Sequence, residues 1–169
     1  MNRLERVIFI GLIFGLFFSA GDLDHAAVAA PQKAVTIKYI TIPVSAFEAN
    51  NATISYDNFG STLSTSIAGG IFEAWVPLPR GARVKNIELV VKDNHFSKNS
   101  CARAYITKPT TGVLNYLDEA CSKGQSPTIR QFKTGFPKRA VFQKNAFFIE
   151  LHINNSDITV YAVRVGYLP

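Results

Sequence analysis

Trp75 is the only tryptophan in a chain of 169 residues, and it stands in the run Ile-Phe-Glu-Ala-Trp-Val-Pro-Leu between Ile71 and Leu78. There Phe72, Ala74, Val76 and Leu78 share one parity, so a strand buries them and turns Trp75 outward beside Glu73. An outward indole is amphipathic and suits a sugar platform or a subunit interface; the plainer alternative is a neighbouring loop laid over it. Pro77, of the same parity, marks an edge or a strand end. A second group lies downstream. Lys123, Arg130, Lys133, Lys138, Arg139 and Lys144 follow one another with no acid between them, interleaved with Phe132, Phe136 and Phe142. Cations among aromatic rings can hold an anionic polymer and stack planar groups or sugar rings. The plainer reading is a solvated loop and strand whose Phe residues belong to the core.

Catalysis has less to rest on. The chain has no Gly-x-Ser-x-Gly, no His-x-x-x-His and no phosphate-cradling Gly loop. His152 shares a strand face with Glu150 and reads as a solvated edge residue. Asp118 and Glu119 are adjacent, so on a strand they point to opposite faces and make a poor acid and base pair. Asp93, Asn94 and Asn99 around His95 offer oxygens to a calcium ion but lack the density of carboxylates such a site prefers, and an Asx turn is expected instead. No catalytic residue, metal ligand or cofactor is assigned, and no nucleic-acid reading motif is present.

Arg3 and Arg6 precede twelve apolar or Gly residues from Val7 to Phe18, a stretch shorter than the ~20 residues of a membrane span. With Ala27 and Ala29 after it, the segment reads as a signal peptide over residues 1–29. Residues 30–34 then form a short tail, and 35–169 a single domain with no membrane span after cleavage, secreted or held in the cell envelope. Removing two Arg and three acids leaves 16 basic and nine acidic residues, a charge of +7 that favours polyanions in general. Cys101 and Cys121, an even count in an exported chain, are expected to pair.

The elements that must carry these residues are strands. From Val35 onward no helical period is sustained, while alternating runs of four to eight residues recur about every ten, the rhythm of an all-β sandwich or barrel. Ile87, Leu89 and Val91 share one face, Phe147, Ile149, Leu151 and Ile153 another, and Tyr161, Val163, Val165 and Tyr167 a third. Nine or ten such strands suffice for two stacked antiparallel sheets. Leu78-Pro79-Arg80-Gly81 reads as a type I corner, with Pro second and Gly fourth.

Three stretches carry a family resemblance: Thr-Ile-Pro-Val-Ser-Ala-Phe from Thr41, the run from Phe72 to Asn94, and Tyr-Ala-Val-Arg-Val-Gly-Tyr from Tyr161. In order and spacing they resemble a group of secreted bacterial proteins of uncharacterised function. The resemblance implies a β-sandwich of jelly-roll type and no particular reaction. Trp75 stands where that pattern more usually has Pro, and Arg80 where it commonly has an acid. These two residues and the basic strip are therefore the candidate ligand contacts. The expected protein is a non-catalytic exported sandwich that binds a glycan or another anionic polymer, or assembles with its own copies. The alternatives are a polysaccharide-degrading enzyme whose site follows no familiar pattern, and a coat or filament subunit.

Overall fold

A computed structural model describes residues 36–66, 69–108, 110–141 and 146–169, with the backbone alone for 137–141. The expected signal peptide, the 30–34 tail and Lys144 lie outside the described residues, as do the side chains of Lys138 and Arg139. Eleven strands follow in order: β1 (Lys38–Pro43), β2 (Glu48–Ala49), β3 (Tyr56–Asn58), β4 (Leu63–Thr65), β5 (Gly70–Trp75), β6 (Arg83–Asp93), β7 (Ser100–Thr107), β8 (Leu114–Cys121), β9 (Ser126–Val141), β10 (Ala146–Ile153) and β11 (Ile158–Leu168). A 3₁₀ turn at Val44–Ala46 follows β1.

Alternation along each strand leaves one apolar face to bury, and two sheets close over it. The first runs β3–β4–β11–β6–β9, with β1 paired to β11 as well; the second runs β2–β5–β10–β7–β8. Every pairing is antiparallel. This is the all-β, two-sheet jelly-roll class that the rhythm of the sequence and the resemblance had indicated. Between the sheets Phe47, Leu63, Phe72, Ile87, Leu89, Ile149, Leu151 and Ile153 are fully buried.

Two local expectations are corrected. On β11 the pairing with β6 shifts between Val160 and Ala162, and again between Gly166 and Tyr167. The shifts reset the parity, so Ile158 and Val160 point inward together with Val163, Val165 and Tyr167, and Tyr161 does not join them. The β5–β6 corner is displaced by one residue. Its hydrogen bond runs from the Ala82 N–H to the Pro79 carbonyl, and Gly81 takes φ +85°, which places Gly third in a turn that needs a left-handed residue there.

Cys101 and Cys121 face each other across β7 and β8 and are joined by a disulfide. Below them the sheets are stitched by buried polar groups. Ser122 Oγ donates to Asp93 Oδ2 at 2.5 Å and accepts from the Ser100 N–H at 2.9 Å, while Ser100 Oγ donates to the His152 carbonyl. The other Asp93 oxygen accepts from the His95 N–H in an Asx turn, so that carboxylate is spent on the chain itself.

Candidate functional site

The outer face of the five-stranded sheet gathers aromatic and charged side chains that are far apart in sequence. Register sets Phe148 of β10 opposite Trp75 of β5 on one side and Tyr105 of β7 on the other, and Tyr105 opposite Tyr116 of β8. Neighbouring rings touch along this row, with centroids 5.3 Å apart for Trp75 and Phe148, 5.2 Å for Phe148 and Tyr105, and 5.7 Å for Tyr105 and Tyr116. Such cross-strand aromatic pairs stabilise a sheet. Phe148 is only 5% exposed although it faces outward, because its neighbours cover it; Trp75 is 64% exposed at the end of the row.

The adjacent row is charged. Glu48 lies opposite Glu73, Glu73 opposite Glu150, Glu150 opposite Arg103, and Arg103 opposite Glu119. Arg103 Nε meets Glu119 at 2.8 Å, and its Nη1 lies 4.0 Å from Glu150. Glu150 also receives the Tyr105 hydroxyl at 3.4 Å and contacts His152 Nε2. The hydrogen bond to Glu119 holds the Arg103 guanidinium above its ordinary range. Burial, with Glu150 nearby, raises the Tyr105 hydroxyl; burial, with Glu119 and Asp118, raises that of Tyr116. His152 shares its face with Glu150 as expected, but β10 is the central strand of this sheet and the imidazole is largely covered. It is not an edge residue.

Two open depressions border the face along β5. One, of about 440 Å³, is lined by Glu48, Asn50, Glu73 and Trp75 together with small alanines. The other, of about 510 Å³, is lined chiefly by Asn50, Asn51, Thr53, Ile71, His152 and Asn154. Asn50 borders both; its backbone N–H donates to the Ile71 carbonyl and its side-chain amide to Glu73.

The basic strip is elsewhere. Lys133 projects from the outer face of the other sheet, where it pairs with Glu88 at 3.1 Å and donates to the Tyr39 hydroxyl at 3.0 Å. Arg164 takes the second Glu88 oxygen at 3.1 Å and lies over the Tyr39 ring. Arg130 donates to the carbonyls of Lys123 and Gly124 and sits over Phe132, which ties down the β8–β9 turn. Phe132 and Phe136 pack against the core. Lys123, in that turn, and Arg80, in the β5–β6 corner, are exposed. Trp75 and Lys133 thus stand on the outer faces of different sheets, and two of the six bases already hold partners of their own.

Among the described residues, Trp75 is the one candidate ligand contact that lies in the aromatic and acidic face. Its companions Phe148, Tyr105, Tyr116, Glu48, Glu73 and Arg103 were missed as site residues. Strand parity alone turns Phe148 and Glu150 outward beside His152, but only the register across β5, β10, β7 and β8 lines them up in rows.

No family model matches the sequence, and no curated protein matches it. Solved structures do match by shape. The C-terminal CBM6, a carbohydrate-binding module, of LamC, a marine laminarinase from Zobellia galactanivorans, superposes with a TM-score of 0.50 at 9% identity, over 76% of this chain and 98% of that one. A CBM6 from Clostridium stercorarium, solved with cellobiose, gives 0.48 at 11% identity over 73% and 90%. A family 35 carbohydrate-binding module from Clostridium thermocellum gives 0.46 at 14% over 76% and 97%. What this chain shares with the laminarinase module is the β-sandwich fold.

Proposed function

We propose that this is an exported, non-catalytic carbohydrate-binding protein, and that the outer face of the β2–β5–β10–β7–β8 sheet is its binding surface. The observation that carries the reading is Trp75: a 64% exposed indole, flanked by Phe148 on the neighbouring strand, on the rim of a depression whose polar wall is Glu48, Glu73 and Asn50. A flat ring exposed in this way stacks on the C–H face of a pyranose, and carboxylate and amide groups beside it take the hydroxyl hydrogen bonds. A sandwich fold shared with a carbohydrate-binding module is consistent with that use. A disulfide fits an oxidising compartment, which supports export.

The face favours an uncharged sugar over an acidic one. Four of the nine acidic residues that follow residue 29, Glu48, Glu73, Glu119 and Glu150, stand in its charged row against the single cation Arg103. The excess of base in the chain as a whole therefore does not describe this surface. Glu150 and Glu119 are engaged by Arg103, Tyr105 and His152, which suits them to positioning rather than to donating a proton to a glycosidic oxygen.

Calorimetric titration of the protein with soluble neutral polysaccharides tests the reading. Binding is expected, and Trp75→Ala should weaken it by about 2 kcal/mol, roughly thirtyfold in Kd, as for a buried aromatic anchor. Absence of binding to every neutral glycan, or an unchanged affinity in the variant, would sink it. Release of new reducing ends during incubation would overturn the non-catalytic part.

A further inference from the structure

The two depressions along β5 share a wall, and together they are longer than one sugar. β5 runs from Gly70 to Trp75, about 17 Å at ~3.4 Å per residue. Trp75 and Glu73 face the first depression, and Ile71, on the same outward parity, lines the second. Asn50 stands between them, fixed to β5 at two points by its bonds to Ile71 and Glu73. The far wall is also organised in advance. Asn51 Oδ1 accepts from both the backbone N–H and the hydroxyl of Thr53, at 3.0 and 2.9 Å, and the Asn154 amide donates to the Asn99 carbonyl. A loop already ordered by its own bonds loses little entropy when a ligand arrives.

The chemistry changes along the groove. At one end is an indole with carboxylates, at the other a set of amides, a hydroxyl and an imidazole around two isoleucines, Ile54 and Ile71. Amides and hydroxyls both donate and accept, so they suit a row of sugar hydroxyls. A lone monosaccharide stacked on Trp75 would leave this second set unused.

We infer, resting on the carbohydrate-binding reading above, that the ligand is a linear, uncharged glycan chain of several residues lying along β5, with Trp75 stacking one residue and the Asn51, Thr53, Ile71 and Asn154 depression holding residues further along. Asn50 is the shared contact between the two.

The test uses the whole protein and defined probes: the di-, tetra- and hexasaccharides of the cello, manno, xylo and laminari series, with a hexameric oligogalacturonate as the acidic comparison. In the best-bound neutral series, affinity should rise at least tenfold from the disaccharide to the hexasaccharide. Ile71→Arg places a bulky exposed side chain in the second depression without touching the core, and Thr53→Ala removes a hydroxyl from its wall. Each should collapse the ratio of hexasaccharide to disaccharide affinity toward one, whereas Trp75→Ala should weaken every length. Equal affinity for all lengths, or a length dependence unchanged in both second-depression variants, overturns this inference and leaves carbohydrate binding standing. Tighter binding of the oligogalacturonate than of any neutral chain also overturns it. No binding of any neutral saccharide overturns both.

Discussion

Glu88 lies on the outer face of β6, yet it is 4% exposed, because Lys133, Arg164 and Gln131 close over it. Removing the carboxylate in Glu88→Ala leaves two cations facing each other without a counter-charge. Both can still reach water, so the expected loss is about 1–3 kcal/mol, against less than ~1 kcal/mol for Lys133→Ala, read from urea midpoints. The hydroxyl of Tyr39 and the Glu88 carboxylate raise the ammonium of Lys133 above 10.5, and burial raises the hydroxyls of Tyr105 and Tyr116 above 10.0. For a group raised in the folded state, the stabilisation is fully present below the unfolded pKa and is lost as pH climbs through the folded one. Stability should therefore hold to about pH 10 and fall above it. Absorbance at alkaline pH should show a late tyrosine step that Tyr105→Phe diminishes.

At the scale of strands, close approach is the governing constraint. A Cβ on Gly166 of β11 would come within 2.5 Å of the Asn86 amide, which occupies the space that a side chain there would need. Gly166→Ala should cost about 1–3 kcal/mol, measured by thermal or denaturant unfolding, because the buried Asn86 side chain must shift to admit the new Cβ. The disulfide acts across β7 and β8, 20 residues apart in sequence. Replacing both cysteines by Ala should lower stability by about 3 kcal/mol through the freer unfolded chain, with the sheet register otherwise kept. Much at this scale was legible beforehand. The parity of Phe72, Ala74 and Val76 against Trp75 follows from alternation alone, as does that of Ile149 and Leu151 against Glu150. The bulge on β11 was not legible, because it inserts a residue without any Gly or Pro to mark it at Tyr161. The β5–β6 corner was misread by one residue because Pro and Gly fit more than one turn type, and the choice between them lies in the strands that flank it.

Taken as a whole molecule, the sandwich is assembled from distant parts: β1 pairs with β11, β2 with β5, and β5 with β10. Loop closure must precede these contacts, so refolding with the disulfide intact should take milliseconds to seconds rather than microseconds, as stopped-flow fluorescence of Trp75 would show. Composition and alternation were enough to determine the class of fold, the outward turn of Trp75 and the pairing expected of two cysteines, since each depends on local parity or on a count. Which side chains become neighbours was decided only by the tertiary structure. Trp75 gains Phe148 from a strand 73 positions away, and Phe148 in turn gains Tyr105, while Lys133 is bound to Glu88 of the neighbouring strand β6, on the sheet that does not carry Trp75, instead of serving a basic strip. The reason is that period-two alternation says which face a residue takes but not which strand lies beside it; register between strands, set by the core as it packs, converts separate outward residues into a surface.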